Sequence, residues 1–287
     1  MLWLAHRQFK LYVIRVSFCR SIIRPHIFVI LYPFPENPEF LQDISAAVTT
    51  LEKDDDTETI ILTSGLPNGI FSAGLDLSEL YDPSFDDRLP QFWNAFQQLY
   101  IDLYGSRLST VAAIDGHAPA AGCMLAISCD YRIMTSTSKC MIGLNESQLG
   151  IVAPPWLCQQ YIDTIGMRQS ELALLLGTLF SPQQALQLGL VDQLVDPHPE
   201  GSNENLDGDD KMTTSTVVKA AIDKAVEFQK IPSMARIAAK KVTRGPHIDK
   251  LIQNRQDDSD YFCSYIATPS VQKSLGLYLD QLSKRKK

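Results

Sequence analysis

The middle of the chain reads Ala113-Ile-Asp-Gly-His-Ala-Pro-Ala-Ala-Gly-Cys-Met124, an order of residue types that predicts a strand, a tight turn and a helix. The strand covers Thr110–Ile114 and ends at Asp115-Gly116. The helix, over Ala120–Ser128, consists of small and apolar residues, so we expect it to be buried. Small side chains at its start would let a ligand approach the backbone amides closely. We interpret His117, which lies in the turn, as a structural residue rather than a base.

Strand and helix patterns alternate along the chain on both sides of this stretch. Further strands are predicted at Ile27–Tyr32, Thr59–Thr63, Tyr131–Met134, Lys139–Ile142 and Leu190–Val195. Helices are predicted at Glu39–Lys53, Leu89–Tyr104, Trp156–Ile165, Arg168–Gly177 and Pro182–Leu188. Near the end only helical patterns occur, at Val217–Phe228, Ser233–Val242, Ile248–Ile266 and Ser270–Ser283. The alternation indicates an α/β fold followed by a helical C-terminal part.

The composition of the 287 residues is that of an ordinary globular protein, with 45% hydrophobic and 21% charged residues. A net charge of -7 disfavours a dedicated nucleic-acid binder, which would carry a basic face. No cysteine pair has Cys-x-x-Cys spacing and no Cys/His run has zinc-ligand spacing, so we expect reduced thiols and no metal site. No stretch reaches the roughly 18 apolar residues of a membrane-spanning helix, so we expect no membrane span.

The first 35 residues contain no Asp or Glu, but carry five Arg or Lys residues among apolar ones. This composition is typical of a mitochondrial transit peptide, and the alternative is an aberrant first exon. We therefore assign residues 1–26 to a transit peptide or an aberrant N-terminus, and residues 27–197 to the α/β core. Residues 198–216 are predicted to be a polar, acidic surface insertion, and residues 217–287 a helical oligomerisation region.

A second segment of interest reads Gly69-Ile-Phe-Ser-Ala-Gly-Leu-Asp-Leu77. It follows a predicted strand, has glycines around a turn, and enters a helix predicted at Leu75–Leu80. Backbone N–H groups at a helix start have no intrahelical acceptor, so they can stabilise developing negative charge. The alternative interpretation is an ordinary turn between a strand and a helix.

A third segment reads Ile142-Gly-Leu-Asn-Glu-Ser-Gln-Leu-Gly-Ile-Val-Ala-Pro-Pro-Trp156. Glu146 lies here among apolar residues, next to Asn145. A carboxylate in apolar surroundings has a raised pKa, which suits proton transfer. The alternative is an exposed glutamate in a loop.

Taken together, these segments resemble the signature of the enoyl-CoA hydratase/isomerase (crotonase) superfamily in order and spacing. The matching stretches are Phe71-Ser-Ala-Gly-Leu-Asp-Leu77, Asp115-Gly-His-Ala-Pro-Ala-Ala-Gly-Cys123, Cys129-Asp-Tyr-Arg132 and Glu146 with Gly150-Ile151. The residues from Gly143 to Trp156, and Phe180-Ser-Pro with Gly189-Leu-Val-Asp-Gln193, are similar to the mitochondrial enoyl-CoA delta-isomerases within it.

This resemblance implies a spiral of strand-strand-helix turns, a helical C-terminal region, and assembly as trimers or dimers of trimers, of which we expect a homotrimer. The C-terminal helices carry more apolar surface than a single core needs, for example at Leu275, Leu277, Leu279 and Leu282, and we expect the trimer to bury part of it. The resemblance also implies Glu146 as the catalytic residue, with an oxyanion hole made by the backbone N–H groups of Leu75 and Ala121. Further substrate-binding residues that it implies are Ala73, Gly74, Asp76, Leu77, Gly122, Asn145 and Trp156.

Two positions depart from the pattern of the superfamily. The second oxyanion position is commonly glycine and here is Ala121. In the hydratases a catalytic glutamate follows the Gly-Cys pair, and here that place is Met124. The lack of this carboxylate agrees with isomerisation by one residue, since adding water requires a second group to activate it.

The activity implied is conversion of 3-enoyl-CoA to trans-2-enoyl-CoA, in the mitochondrial matrix, during β-oxidation of unsaturated fatty acids. The implied partner is an acyl-CoA thioester, with no nucleic acid, and no cofactor is required because CoA is part of the substrate. Two alternatives stay open. One is another crotonase-type reaction, hydration or thioester hydrolysis, and the other is a non-catalytic acyl-CoA-binding protein.

Overall fold

The computed structural model of the protein describes residues 2–5, 10–16, 26–32, 37–64, 69–83, 87–197 and 215–285. The strands are β1 (Leu2–Ala5), β2 (Lys10–Val16), β3 (His26–Tyr32), β4 (Thr57–Ser64), β5 (Ser109–Ile114), β6 (Ala118–Pro119), β7 (Tyr131–Thr135), β8 (Ile142–Gly143) and β9 (Gln193–Val195). The helices up to residue 197 are α1 (Pro38–Glu52), α2 (Arg88–Tyr104), α3 (Ala121–Ser128), α4 (Pro155–Ile165), α5 (Met167–Leu176) and α6 (Pro182–Leu188). The C-terminal helices are α7 (Thr216–Gln229), α8 (Ser233–Gln253), α9 (Arg255–Ile266) and α10 (Pro269–Arg285).

The main sheet has seven strands in the order β1-β2-β3-β4-β5-β7-β9. The five strands from β3 to β9 pair in parallel, whereas β1 and β2 pair antiparallel at one edge. A parallel sheet needs cover on both faces, and alternate residues along a strand point to opposite faces. Accordingly Val111 packs in the cluster beneath α7, while Ala112 belongs to the larger core with α1, α2 and α3. The carboxyl ends of β4 and β5 lead into the first two segments described above, which begin at Gly69 and Asp115.

The structure confirms the predicted α/β class and the helical C-terminal part. Most predicted elements agree with the observed ones to within two residues at each end. Two strands are shorter than predicted, since only Ile142–Gly143 and Gln193–Val195 pair. The helix predicted at Leu75–Leu80 is wrong, because only a single 3₁₀ turn forms, Leu77–Glu79, which Asp76 caps.

The predicted helix boundaries near Pro246 are also wrong, because α8 continues through this proline to Gln253. A proline removes one helical hydrogen bond, so tertiary contacts must offset the loss. The Asp130 carboxylate anchors the turns before the proline, since it lies 3.0 Å from Lys240 and 2.8 Å from Arg244, and beyond the proline Leu251 is buried in the core. Pattern reading of α8 alone does not reveal these contacts.

The proposed boundary at residue 26 does not coincide with an edge of the sheet. Strand β2 pairs with β3 across it, from Tyr12 opposite Leu31 to Val16 opposite Ile27. The acidic insertion predicted at residues 198–216 lies outside the described residues, except for its last two. The division into four regions therefore stays a prediction. Among the described residues, no helix is long and apolar enough to cross a bilayer.

The four leucines near the C-terminus differ in their exposure. Leu275 is fully buried within the chain, so it does not belong to the surplus apolar surface that we expected on the C-terminal helices. Leu279 and Leu282 line a cavity, whereas Leu277 is 55% exposed. Helix α10 therefore closes the core of its own chain and leaves only part of its apolar surface accessible.

Candidate active site

The segments after β4 and after β5 run side by side, joined by backbone hydrogen bonds. The His117 amide donates to the Gly69 carbonyl at 2.9 Å, and the His117 carbonyl accepts from Phe71 and Ser72 at 2.8 and 3.1 Å. Gly116 makes this contact possible, because a Cβ there would lie 2.1 Å from the Gly69 carbonyl carbon. The main chain of His117 thus links the two segments, in agreement with the structural role that we assigned to it.

The third segment is joined to the second by the short parallel pair of β6 and β8. The Ala118 amide donates to the Met141 carbonyl at 2.9 Å, and the Ala120 amide donates to the Gly143 carbonyl at 2.8 Å. Glu146 follows three residues after Gly143. The strand that leads to Glu146 is therefore held against the strand that leads into α3.

The start of α3 provides backbone N–H groups without intrahelical acceptors. Ala120 turns the chain with φ 50° and ψ -120°, and Ala121 is the first helical residue. Gly74, with φ +90°, packs against this turn, since a Cβ on it would lie 3.2 Å from the Ala120 Cβ and 3.7 Å from the Ala121 nitrogen. Leu75 follows Gly74 directly, so the two predicted oxyanion residues are brought to the same place.

A cavity of about 570 Å³ opens at this junction. Its size is that of a pocket for a small organic ligand. Leu75, Ala121 and Glu146 all line it, and its remaining wall is mostly apolar. That wall comes from the loop before α4, from α2, and from the C-terminal helices α9 and α10. The cavity thus joins backbone donors and a carboxylate to an apolar interior.

Glu146 is the first residue of a 3₁₀ turn, Glu146–Leu149. Although the residue as a whole is half-buried, its Oε2 is enclosed and has no hydrogen-bond partner. Burial raises the pKa of the Glu146 carboxyl from 4.5 to about 7, against the opposing effect of a hydrogen bond from its own backbone. A group with this pKa can accept a proton at neutral pH and release it again.

The other carboxylate among the described lining residues, Asp76, is already engaged. Its Oδ1 accepts hydrogen bonds from the Ser78 amide at 2.9 Å and from the Ser78 hydroxyl at 2.7 Å. These contacts cap the 3₁₀ turn Leu77–Glu79. Of the two carboxylates, Glu146 is the one with an enclosed oxygen that has no hydrogen-bond partner.

The predicted site residues divide into two groups. Those that line the cavity are Ala73, Leu75, Asp76, Leu77, Ala121, Asn145 and Glu146. Gly74, Gly122 and Trp156 lie behind it. Gly122 serves the close packing of α3, because a Cβ there would lie 2.9 Å from the Ser72 Cβ. The Trp156 indole donates to Asp258 Oδ2 at 3.3 Å, so this side chain supports the wall.

Sequence reasoning missed the aromatic part of the cavity wall. Trp93, Phe96 and Phe262 line it, as does Tyr278. In the sequence Phe96 reads only as one position on the apolar face of α2, because nothing local reveals which other helix it meets. The contact with α9 is formed by side chains more than 150 residues apart, such as Trp93 and Asp258.

Met124, which stands where the hydratases have a glutamate, is fully buried. Its carbonyl accepts a hydrogen bond from the Ser128 hydroxyl at 2.7 Å, and its side chain does not line the cavity. Among the described residues, no group of three His, Cys, Asp or Glu side chains is arranged to hold a metal ion. The cavity therefore offers backbone amides at the start of α3 as hydrogen-bond donors and the Glu146 carboxylate as a proton acceptor.

Comparison with known proteins agrees with this arrangement. The family model for enoyl-CoA hydratase/isomerase matches residues 36–286. The mitochondrial enoyl-CoA delta isomerase 1 of Rattus norvegicus is 43% identical over 248 residues, 86% of this chain and 79% of that protein. The Homo sapiens protein of that name is 41% identical over the same share of this chain and 76% of its own.

Among solved structures, the human mitochondrial delta3-delta2-enoyl-CoA isomerase superposes with a TM-score of 0.81 at 38% identity. The match covers 91% of this chain and 95% of that one. An enoyl-CoA hydratase from Bacillus halodurans has a TM-score of 0.73 at 22% identity, over 93% and 99% of the two chains, and shares the fold. The chain belongs to the enoyl-CoA hydratase/isomerase family.

Proposed function

We propose that the protein is an enoyl-CoA delta-isomerase that converts 3-enoyl-CoA to trans-2-enoyl-CoA. The observation that carries this proposal is Glu146, a carboxylate with an unpartnered oxygen in an apolar cavity that also receives the start of α3. The delta isomerases of rat and man, at 43% and 41% identity, support the same reaction.

Binding would place the thioester carbonyl oxygen against the amides of Leu75 and Ala121. As the proton leaves C2, negative charge moves onto that oxygen. Fixed N–H donors aimed at charge that develops in the transition state are among the strongest catalytic devices in enzymes. Only the N–H of Ala121 is needed, so a methyl group at this position is compatible with the role.

Glu146 then accounts for both proton transfers. It takes a proton from C2, which gives a dienolate held by the two amides, and returns the proton to C4. The double bond moves from C3–C4 to C2–C3, and the substrate gains and loses one proton. No electron is transferred to another molecule, so the reaction needs neither a redox cofactor nor a metal ion. CoA takes part only as a portion of the substrate.

Hydration is disfavoured by the same geometry. Adding water across a double bond requires a group to activate the water and another to protonate the product. Met124 is buried outside the cavity, and the Asp76 carboxylate accepts two hydrogen bonds from Ser78 through its Oδ1. Isomerisation needs only one group that takes a proton and returns it, and Glu146 can do both.

The remaining lining residues are assigned by their position around the reactive groups. Ala73, Asp76, Leu77 and Asn145 would contact the thioester portion of the substrate. Gly74 and Gly122 would act by keeping the two oxyanion segments in close contact, since neither lines the cavity. Trp156 would act through the wall that it supports.

We place the protein in the mitochondrial matrix, in β-oxidation of unsaturated fatty acids, as a homotrimer. The relatives are named mitochondrial. Apolar residues exposed on α5 offer a surface for assembly, with Met167 at 63%, Leu175 at 71% and Leu176 at 67% exposure. Light scattering should report three subunits, and a stable monomer at micromolar concentration would contradict the trimer. A fluorescent reporter fused to residues 1–35 should enter mitochondria, and a cytosolic reporter would contradict targeting.

The activity is tested by incubating purified protein with trans-3-enoyl-CoA substrates and following formation of the conjugated thioester. The same protein is offered trans-2-enoyl-CoA to measure hydration. We expect the rate of isomerisation to exceed the rate of hydration by roughly a hundredfold or more, because a positioned acid or base usually contributes a factor of this size and hydration lacks one. Equal rates would favour a hydratase. Tight acyl-CoA binding without turnover would favour a non-catalytic protein.

A further inference from the structure

The cavity has an open end and a closed end. At the open end Ala73 is exposed, and Val152 is 50% exposed. At the closed end Trp93 and Phe96 are each 2% exposed and Phe262 is 7% exposed. An acyl chain that enters with its thioester near Glu146 would therefore extend until its far end meets these aromatic rings.

The closed end is organised by one carboxylate, that of Asp258 on α9. Its Oδ2 accepts hydrogen bonds from Trp93 Nε1 at 2.8 Å, from Gln97 Nε2 at 2.8 Å and from Trp156 Nε1 at 3.3 Å. The Gln97 amide is itself oriented by Arg255, whose Nε donates to its Oε1 at 3.1 Å. One oxygen atom thus joins side chains of α2, α4 and α9.

These hydrogen bonds fix the orientation of the aromatic rings. Trp93 stacks on Phe262 with ring centroids 3.4 Å apart and planes within 8°. Trp156 packs behind, with its ring centroid 5.5 Å from that of Phe96 and 4.4 Å from that of Tyr100. A buried N–H without an acceptor is costly, so each indole is held where it reaches Asp258.

We propose that Asp258 is a positioning residue that sets the acyl-chain length accepted by the cavity. It does so by holding Trp93 flat against Phe262. In that position the indole does not project into the cavity, which leaves room at the closed end for a long acyl chain. The inference rests on the proposed function, since it assumes that the cavity holds the acyl group of an enoyl-CoA. Asp258 does not line the cavity, so it would act on the acyl chain through the aromatic rings that it holds.

Two substitutions should shift the chain-length profile in opposite directions. Asp258→Asn weakens the shared acceptor, so the Trp93 indole swings toward the cavity and shortens it. The ratio of kcat/KM for trans-3-hexadecenoyl-CoA to that for trans-3-hexenoyl-CoA should fall roughly tenfold, as expected for loss of a charged hydrogen bond. Trp93→Phe removes ring volume but keeps an aromatic partner for Phe262, so the same ratio should rise roughly tenfold.

Asp257→Asn is the matched control, because Asp257 is the exposed neighbour of Asp258 on the same helix. It should leave the ratio at the wild-type value. Tryptophan fluorescence gives a readout besides activity, since two of the three tryptophans in the chain donate to Asp258. Asp258→Asn should shift the emission, whereas Asp257→Asn should not.

Affinities for the unreactive saturated hexanoyl-, decanoyl- and hexadecanoyl-CoA separate this inference from the proposed function. A wild-type protein that binds all three but isomerises no 3-enoyl-CoA would overturn the proposed function. The binding series would then still test the role of Asp258. An equal loss at every chain length, or an Asp258→Asn profile that matches Asp257→Asn, would overturn the inference. Should Asp258→Asn not fold, a Trp93→Phe ratio at or below the wild-type value would overturn it.

Discussion

The two ends of the cavity are built in different ways. The thioester end is made by backbone, from three turns held together by main-chain hydrogen bonds around His117 and Gly143. The closed end is made by side chains of α2, α4 and α9, which meet at Asp258. In our proposals the first end determines which reaction occurs, and the second determines which acyl chain fits. Since different atoms set the two properties, substitutions should change one without the other.

The sharpest test of the thioester end is Glu146→Gln, which keeps the size of the side chain but cannot take the proton. We expect kcat to fall by roughly two to four orders of magnitude, the usual worth of a positioned general base, or more because Glu146 acts twice. Affinity for saturated acyl-CoA should change little, because the amides and the apolar wall remain. Stopped assays with long and short substrates should show the same loss at each length.

Glu227→Gln is a suitable control, since Glu227 is an exposed residue on α7 that pairs with Lys224 and does not line the cavity. It should keep wild-type turnover. If the Glu146→Gln protein retained most of its isomerase activity, the catalytic base would have to be another residue. A collapse of binding in that variant would make Glu146 a structural residue.

The same carboxyl should leave a signature in the pH dependence of stability. The folded-state pKa of Glu146 is about 7 and its ordinary value is 4.5, so the folded protein holds this proton more tightly than the unfolded chain. Stability contributed by the protonated form is fully present below about pH 4.5 and is lost as the pH rises toward 7. One pKa unit corresponds to about 1.4 kcal/mol, so the ionised group costs roughly 3 kcal/mol above pH 7.

Glu146→Gln should therefore be more stable than wild type at pH 8, by up to about 3 kcal/mol, with the advantage absent near pH 4.5. Urea unfolding of both proteins at the two pH values measures the difference. If the two proteins were equally stable at pH 8, the Glu146 carboxyl would be well solvated in the folded protein. Its pKa would then not be raised by burial, and the argument that it both takes and returns a proton at neutral pH would fail.

The two ends also differ in how much of them the sequence reveals. The thioester end lies within three short segments, whose turns and small side chains are visible in the sequence and carry the resemblance to the superfamily. That resemblance assigned the roles of Ala121 and Glu146, because the contacts that join the segments, such as that of His117 with Gly69, link residues far apart in the chain. The helix predicted at Leu75–Leu80 failed because the Asp76 cap closes only one turn.

The closed end could not be predicted, because its contacts join residues far apart in the chain. The sequence does not show that the Trp156 indole donates to Asp258, which lies 102 residues further along the chain. Asp258 itself looks like any polar residue on a helix, with acidic neighbours at Asp257 and Asp260. Only the packing of α9 on α2 shows that one of these acids faces inward.

Gly122→Ala should disturb the backbone of the thioester end without adding or removing a polar group. The new Cβ would lie 2.9 Å from the Ser72 Cβ, so α3 must move away from the segment that carries Leu75. Overpacking of this kind costs about 1–3 kcal/mol, and we expect both stability and kcat to fall. Thermal unfolding and steady-state kinetics on the same preparation measure the two effects.

Gly245→Ala on α8 is the matched substitution, because a Cβ there would meet only the Lys241 Cγ, at 3.9 Å. Alanine favours a helix over glycine by about 1 kcal/mol, but Pro246 follows directly and crowds a Cβ on the preceding residue, so this variant should keep a stability close to that of the wild type. If both alanine variants behaved alike, close packing of α3 would not control the oxyanion segment.

The smallest expected effect concerns Ala120, whose φ of 50° and ψ of -120° are unfavourable for any residue with a Cβ. Ala120→Gly removes that strain and should stabilise the protein by about 1 kcal/mol, or roughly 2 °C in Tm. It also loosens the turn that presents the Ala121 amide, so kcat should fall by less than about tenfold.

The matched control is Ala126→Gly, in the interior of α3. It should instead destabilise the protein by about 1 kcal/mol, because glycine loses more conformational freedom there. A gain in stability for Ala120→Gly and a loss for Ala126→Gly would show that backbone strain is stored at the thioester end. A lower Tm for Ala120→Gly would show that the turn is relaxed, and that the Ala121 amide is held by packing alone.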